Sequence, residues 1–252
     1  MVTERLPSND PRTIARDIPG LLDVLFPHLV PGFVTHLNRT GIQLRDCEPV
    51  PLELVATSGL QRAMLFEIAV ALGEQLISDD GSLDWEACLS IAASRQRQHF
   101  DAKVPSTLSA ADKDISLRVA RNLVTMLRHL QADPDGEILQ HSPMIPGFQW
   151  IASGNGDFSL GENLIEVKCT NRRFSSADYR QMAIYWLLSY CASLEGKKRE
   201  WSKGILLNPR LNLIVSFTFS DFIQVVSGGR SKVELFEIFS AMVEGRSLSD
   251  CS

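Results

Sequence analysis

Residues 153–190, SGNGDFSLGENLIEVKCTNRRFSSADYRQMAIYWLLSY, decide the fold of this chain. The first half breaks into short apolar runs, Phe158 to Leu160 and Leu164 to Cys169, bounded by Gly and Asn, which is the pattern of strands joined by a tight turn. The second half opens with Ser175 and, three residues on, Asp178. That capping-box-like start predicts a long amphipathic helix over 176–194. Strand alternation puts Glu166 and Lys168 on one face and Ile165, Val167 and Cys169 on the other. A hairpin through Gly161-Glu162-Asn163 would bring Asp157 and Glu166 to one point near the rim of the sheet. Gln181 and Tyr185, four apart on the helix, share a face.

Working outward, Gly204 to Leu207 and Leu211 to Phe219 flank Asn208-Pro209-Arg210 and read as a second hairpin, rich in β-branched and aromatic residues. Ser220-Asp221 opens a helix, and 231–243 form another. Upstream, 137–142 and 148–153 are short apolar runs with strand character. Before them, Ile115, Val119, Leu123, Met126 and Leu130 carry a helix from about Asp112, stopped by Asp133-Pro134-Asp135-Gly136. The first 105 residues are helical in pattern, most clearly where Leu60, Met64, Ile68 and Leu72 form one stripe. The expected class is α/β (α+β), with a helical N-terminal region over 1–105 and a sheet-bearing core over 106–252.

The chain has 252 residues, 44% hydrophobic and 22% charged, a composition that excludes disorder, collagen and membrane arrays. No apolar run approaches the ~20 residues of a membrane helix, and the N-terminal charges are not followed by an apolar core. A cytoplasmic location is expected. Five scattered cysteines without a C-x-x-C pair fit reduced thiols better than disulfides or a zinc knuckle. The net charge is -5, yet 166–203 holds eight basic residues against four acids. Such a zone suits a phosphate-facing surface or a solvated face of mixed charge.

Two convergent carboxylates suit Mg²⁺, which takes a few hard oxygen ligands and keeps water and substrate oxygens. A nearby ammonium can help activate the attacking water and offset charge developing on a phosphorus centre. Spacing alone is weak, since chance yields about 0.8 acid-x-Lys triplets in a chain of this composition and there are three. Asp101-Ala102-Lys103 and Glu195-Gly196-Lys197 sit in polar connections and read as surface. Glu166-Val167-Lys168 alone lies in an apolar strand, follows an acid by a hairpin's length and precedes a helix with a Gln/Tyr face. Phosphate-loop, nucleophile-elbow and H-E-x-x-H patterns do not occur.

Gly156-Asp157, Glu166-Val167-Lys168 and Gln181-x-x-x-Tyr185 together resemble the PD-(D/E)xK nuclease superfamily, and within it the RecB-type branch. The resemblance covers about residues 137–220. It implies a restriction-endonuclease-like mixed sheet flanked by helices, Mg²⁺ or Mn²⁺ as cofactor, and DNA as substrate, in bacterial DNA processing or defence against phage. It implies Asp157 and Glu166 as metal ligands, with the Val167 carbonyl a further one, and Lys168 as the catalytic lysine. Gln181 would orient the site or contact a phosphate, and Tyr185 would support it or stack. Arg172, Arg173 and Arg180 are candidates for gripping DNA phosphates. An acid from a helix before the core is often part of such sites; Glu67, Glu74, Asp112 and Asp114 are the choices here, with Glu67 preferred.

Other readings of the same residues remain open. Asp157 can cap a turn, Glu166 and Lys168 can be a same-face ion pair, Tyr185 can be core, and Arg172 and Arg173 can merely solubilise a loop. Cys169 reads as a small strand hydrophobe. The rival function is a non-catalytic or partner-activated nucleic-acid-binding subunit of a larger complex. Under the nuclease reading the helical region would hold a partner protein, a second subunit or part of the substrate, and a cutter of both duplex strands would be a homodimer because two nicks need two sites.

Overall fold

The computed structural model describes residues 10–11, 20–78, 83–96, 105–132, 137–197 and 200–249. Asp101-Ala102-Lys103, the turn at 133–136, Lys198 and Arg199 lie outside the described residues. The helices are α1 (Leu21–Leu25), α2 (Pro31–Arg39), α3 (Leu52–Val55), α4 (Arg62–Ser78), α5 (Trp85–Gln96) and α6 (Ala110–Gln131) in the N-terminal half, then α7 (Ser176–Leu194), α8 (Phe219–Val226) and α9 (Lys232–Ser249). The strands are β1 (Leu139–His141), β2 (Met144–Ile145), β3 (Gly154–Asn155), β4 (Phe158–Leu160), β5 (Asn163–Val167), β6 (Lys203–Asn208) and β7 (Leu213–Thr218). No helix among the described residues is long and apolar enough to cross a membrane.

The chain is mixed α/β. Its main sheet has the order β1-β4-β5-β6-β7. The β5–β6 pair is parallel and every other pair antiparallel, because α7 carries the chain back across the sheet between β5 and β6 as a parallel connection requires. The β4–β5 hairpin turns at Gly161, whose φ of +53° favours a residue without Cβ. The expected second hairpin is β6–β7.

Helices cover both faces of this sheet. On one, Leu123, Met126 and Leu127 of α6 pack on Phe158, Ile165, Ile205 and Leu207. On the other, Met182, Ile184 and Trp186 of α7 belong to the cluster of Leu164, Leu206 and Val215. Helix α7 is therefore less amphipathic than its pattern suggests. From Tyr179 to Ala192 it is buried almost throughout, because residues of α1, α2, α8 and α9 close over its outer side.

All four hydrophobic clusters draw residues from both sides of residue 105. The described helices before residue 105 thus share these clusters with the rest of the chain, and Ile42 bridges to Ile214 at the edge of β7. One expected strand is not formed. Within 148–153 only Phe148 and Ile151 bridge, since Gln149 turns the backbone at φ +51°. Phe148 packs on Phe236 and Phe239, and the Trp150 indole donates to the Val243 carbonyl at 2.8 Å. Docking on α9 thus takes the place of sheet pairing. The neighbouring β2 and β3, which carry no strand pattern of their own, form a small second sheet.

Candidate active site

The β4–β5 register pairs Phe158 with Ile165. Continued by one residue, it sets Asp157 opposite Glu166, as the hairpin reading expects. Asp157 Oδ2 accepts a 2.8 Å bond from the Val167 amide, which ties the two strand ends together. Alternation along β5 also holds: Leu164 packs on the α7 side, Ile165 and Val167 face α6, and Cys169 lies against α4 and α6 residues.

Glu166 is 2% exposed and its charge is met by two neighbours. Its Oε1 accepts from Lys168 Nζ at 2.9 Å and from Gln181 Nε2 at 2.7 Å. Lys168 Nζ also donates to Gln181 Oε1 at 2.9 Å. The Gln181 amide spends its second N–H on the Tyr185 hydroxyl, at 2.9 Å. The buried Glu166 Oε2 accepts no hydrogen bond from the described residues, while through Oε1 a carboxylate, an ammonium, an amide and a phenol form one connected network. A buried charge requires such satisfaction.

Helix α7 supplies the amide because its start is fixed. The Ser175 amide donates to Asp178 Oδ2 at 2.7 Å, so Gln181 and Tyr185 fall on the inward face one turn apart. Lys168 is fixed from the other side, where its amide donates to the Leu207 carbonyl at 2.8 Å and extends the β5–β6 ladder.

Burial pushes the Lys168 ammonium towards neutrality, but Glu166, Asp157 and Asp178 outweigh it and hold its pKa above the ordinary value. Lys168 is a fixed cation at neutral pH. Its side chain is 20% exposed, so it can still reach a bound anion. The adjacent Cys169 thiol is pushed far up, by burial first and then by Glu67 and Asp157, against the opposing pull of Arg210 and Lys168. It stays a neutral thiol, which suits packing and not nucleophilic attack.

The four helix acids separate cleanly. Asp112 is enclosed by the α6 cap, accepting from Ser58 at 2.5 Å and from the Ser109 amide at 2.9 Å. Asp114 pairs with Arg118 on an exposed face, and Glu74 pairs with Arg95. Glu67 lies 3.7 Å from Arg95 and is also the acid whose field reaches Cys169 beside the site.

The described basic candidates have different partners. Arg172 is exposed. Arg173, also exposed, donates to the Asn38 carbonyl at 2.7 Å, while Arg180 pairs with Asp23 at 2.8 Å. Lys197 pairs with Glu195 on the surface. Tyr185 is 0% exposed, so it supports Gln181 and does not stack on a base; the expectation of a nucleic-acid contact there is corrected by its burial in the α7 core.

Two residues beside the site escaped the sequence reading. Asn208, fully buried, donates to the Thr170 carbonyl at 3.1 Å and so clamps the loop that follows Lys168. Arg210 is buried over Phe66. Both stand in Asn208-Pro209-Arg210, which reads as a hairpin turn and nothing more.

No group of three or more His, Cys, Asp and Glu side chains that could hold a metal occurs among the described residues. The donor set at the rim is the Asp157 and Glu166 carboxylates with the nearby Val167 carbonyl. That hard-oxygen chemistry fits Mg²⁺ or Mn²⁺, ions that complete their shells with water and substrate oxygens. No known protein family, curated protein or solved structure matches the chain.

Proposed function

We propose that this chain is a metal-dependent nuclease with a restriction-endonuclease-like core that hydrolyses DNA phosphodiester bonds, in bacterial DNA processing or phage defence. The observation that carries the proposal is the buried network of Glu166, Lys168, Gln181 and Tyr185, locked to Asp157 through the Val167 amide. A surface ion pair does not need a buried carboxylate or a dedicated amide. A reaction that develops negative charge beside a fixed ammonium does.

Asp157 and Glu166 would hold Mg²⁺ or Mn²⁺, with the Val167 carbonyl as a further oxygen; Glu67, the preferred helix acid, lies against Arg95 and does not complete a three-acid group with them. Bound there, such an ion polarises a phosphoryl oxygen and acidifies water. Lys168 keeps its proton and places a positive charge where the phosphate gains negative charge. Gln181 holds both Glu166 and Lys168 in register, and Tyr185 holds Gln181, so the ammonium is preorganised before substrate arrives.

The test is incubation of the purified chain with linear, circular and single-stranded DNA in Mg²⁺, Mn²⁺ or EDTA, alongside Lys168→Ala and Asp157→Ala. Metal-dependent cleavage reduced by about a thousandfold in either variant is the expected result. Circular DNA separates endo from exo action. DNA binding without cleavage by the wild-type chain in any metal replaces the nuclease with a binding or partner-activated subunit.

A further inference from the structure

The turn between β6 and β7 is held on several sides. The Pro209 carbonyl accepts from Asn122 Nδ2 at 2.8 Å, and the Arg210 carbonyl accepts from the Val50 amide at 2.7 Å. Asn212 Nδ2 donates to the Leu44 and Cys47 carbonyls at 2.7 and 2.8 Å. Arg210 is thus carried on a rigid support.

Its side chain is placed without a counter-charge. The residue is 2% exposed, its guanidinium carbon lies 5.9 Å from the centre of the Phe66 ring, and its buried Nε has no hydrogen-bond partner. No carboxylate pairs with Arg210 among the described residues. A buried cation left in this state is costly unless an anion completes it. Arg62, exposed and one turn before Phe66 on α4, carries a charge of the same sign and opposes the Arg210 charge instead of relieving it. Helix α4 also has no acidic residue in its first turn, so its positive end adds to the field. The buried cluster that holds Phe66, the ring under Arg210, also packs Cys169, the chain neighbour of Lys168, which puts this cationic corner beside the candidate active site.

We propose that Arg210, with Arg62 at its rim, seats a phosphodiester of the nucleic-acid strand next to the one held at Asp157 and Lys168. The assignment rests on the nuclease reading for its substrate, but it is tested by binding and not by cleavage. A planar guanidinium over an aromatic ring, with its donors in a fixed fork, suits phosphate oxygens. The turn that carries it adds little ordering cost on binding.

The experiment uses the full chain in EDTA, with a fluorescein-labelled single-stranded oligonucleotide followed by anisotropy across about 50 to 200 mM salt, and thermal melts of each variant. Arg210→Met keeps the stem over Phe66 and removes the charge. The expected result is about tenfold weaker binding at low salt and a salt slope shallower by about 0.7, with a melting temperature equal to or above that of the wild type. Arg62→Ala, at an exposed position, should also flatten the slope. Unchanged affinity and slope in both variants overturn the proposal, as does a lowered melting temperature in Arg210→Met with binding intact, which makes Arg210 a structural plug. If Arg210→Met does not fold, the slope of Arg62→Ala decides. Inorganic phosphate is the second probe: protection of the wild-type chain by phosphate, with no oligonucleotide binding, overturns the assignment to a nucleic-acid strand. Wild-type binding without cleavage in Mg²⁺ sinks the nuclease reading alone and leaves the Arg210 result to stand or fall by itself.

Discussion

Replacing Lys168 by Met leaves the buried Glu166 carboxylate without its cation. At 2.9 Å and an effective dielectric of about 20, the attraction between them is about 6 kcal/mol. Most of that offsets the desolvation of two charges, so the net worth of the intact pair is small. Removal of one partner is different, because the other stays buried: such losses are about 3–5 kcal/mol. With 20% of the Lys168 side chain exposed, the lower end applies, and Lys168→Met should destabilise the chain by about 3 kcal/mol at pH 7. The double change Glu166→Gln with Lys168→Met removes both charges and keeps an amide facing Gln181, so it should fall within about 1 kcal/mol of the wild type.

The pH dependence has a defined sign. The folded pKa of Lys168 lies above its ordinary 10.5, so its contribution is fully present below that value and is lost as pH rises through the folded pKa. The gap between wild type and Lys168→Met is therefore flat through neutral pH and closes in alkali. Urea unfolding followed by circular dichroism at several pH values measures it. A single variant within about 0.5 kcal/mol of the wild type, or a double variant worse than the single one, would refute the buried-pair reasoning.

Other expectations follow from single contacts. Asp112→Asn should lose about 1–2 kcal/mol at pH 7, because the bonds from Ser58 and Ser109 outweigh burial and hold the Asp112 pKa below 3.8; this stability is present above the unfolded carboxylate pKa and fades as pH falls through the folded one, so urea titrations at neutral and acid pH should converge. Gly204→Ala puts a methyl 2.6 Å from the Phe217 ring and 3.0 Å from Met182 Cε; a loss of about 1–3 kcal/mol in the same unfolding assay is expected, and an unchanged midpoint contradicts the close approach of β6 to its neighbours. Tyr185→Phe removes only the hydroxyl that accepts from Gln181; DNA cleavage should slow by about tenfold in kcat with KM unchanged, whereas a pure rise in KM would show that Tyr185 acts in binding.

Much of the candidate site was legible because its parts are local. Asp157, Glu166 and Lys168 sit on one hairpin whose register is set by a glycine turn and by period-two alternation, and Gln181 and Tyr185 follow on a helix whose start is written in Ser175 and Asp178. Each relation spans few residues and is governed by backbone geometry, so spacing suffices. What was not legible depends on elements far apart in the chain. Glu67 and Asp112 look alike as helix acids, and only packing shows that Asp112 is absorbed by a cap while Glu67 lies against Arg95.

The sequence by itself thus determined the alternation of helix and strand, the β4–β5 hairpin and the grouping of Asp157, Glu166 and Lys168 at its open end. Tertiary structure alone decided that α7 is enclosed on nearly every side, that Tyr185 is core, that 148–153 docks on α9 instead of pairing, and that Arg210 comes to rest over Phe66. The physical reason is range. Short-range patterns fix which way a side chain leaves its own element, but burial and charge pairing depend on which distant element arrives opposite, and that is set by the collective packing of the core.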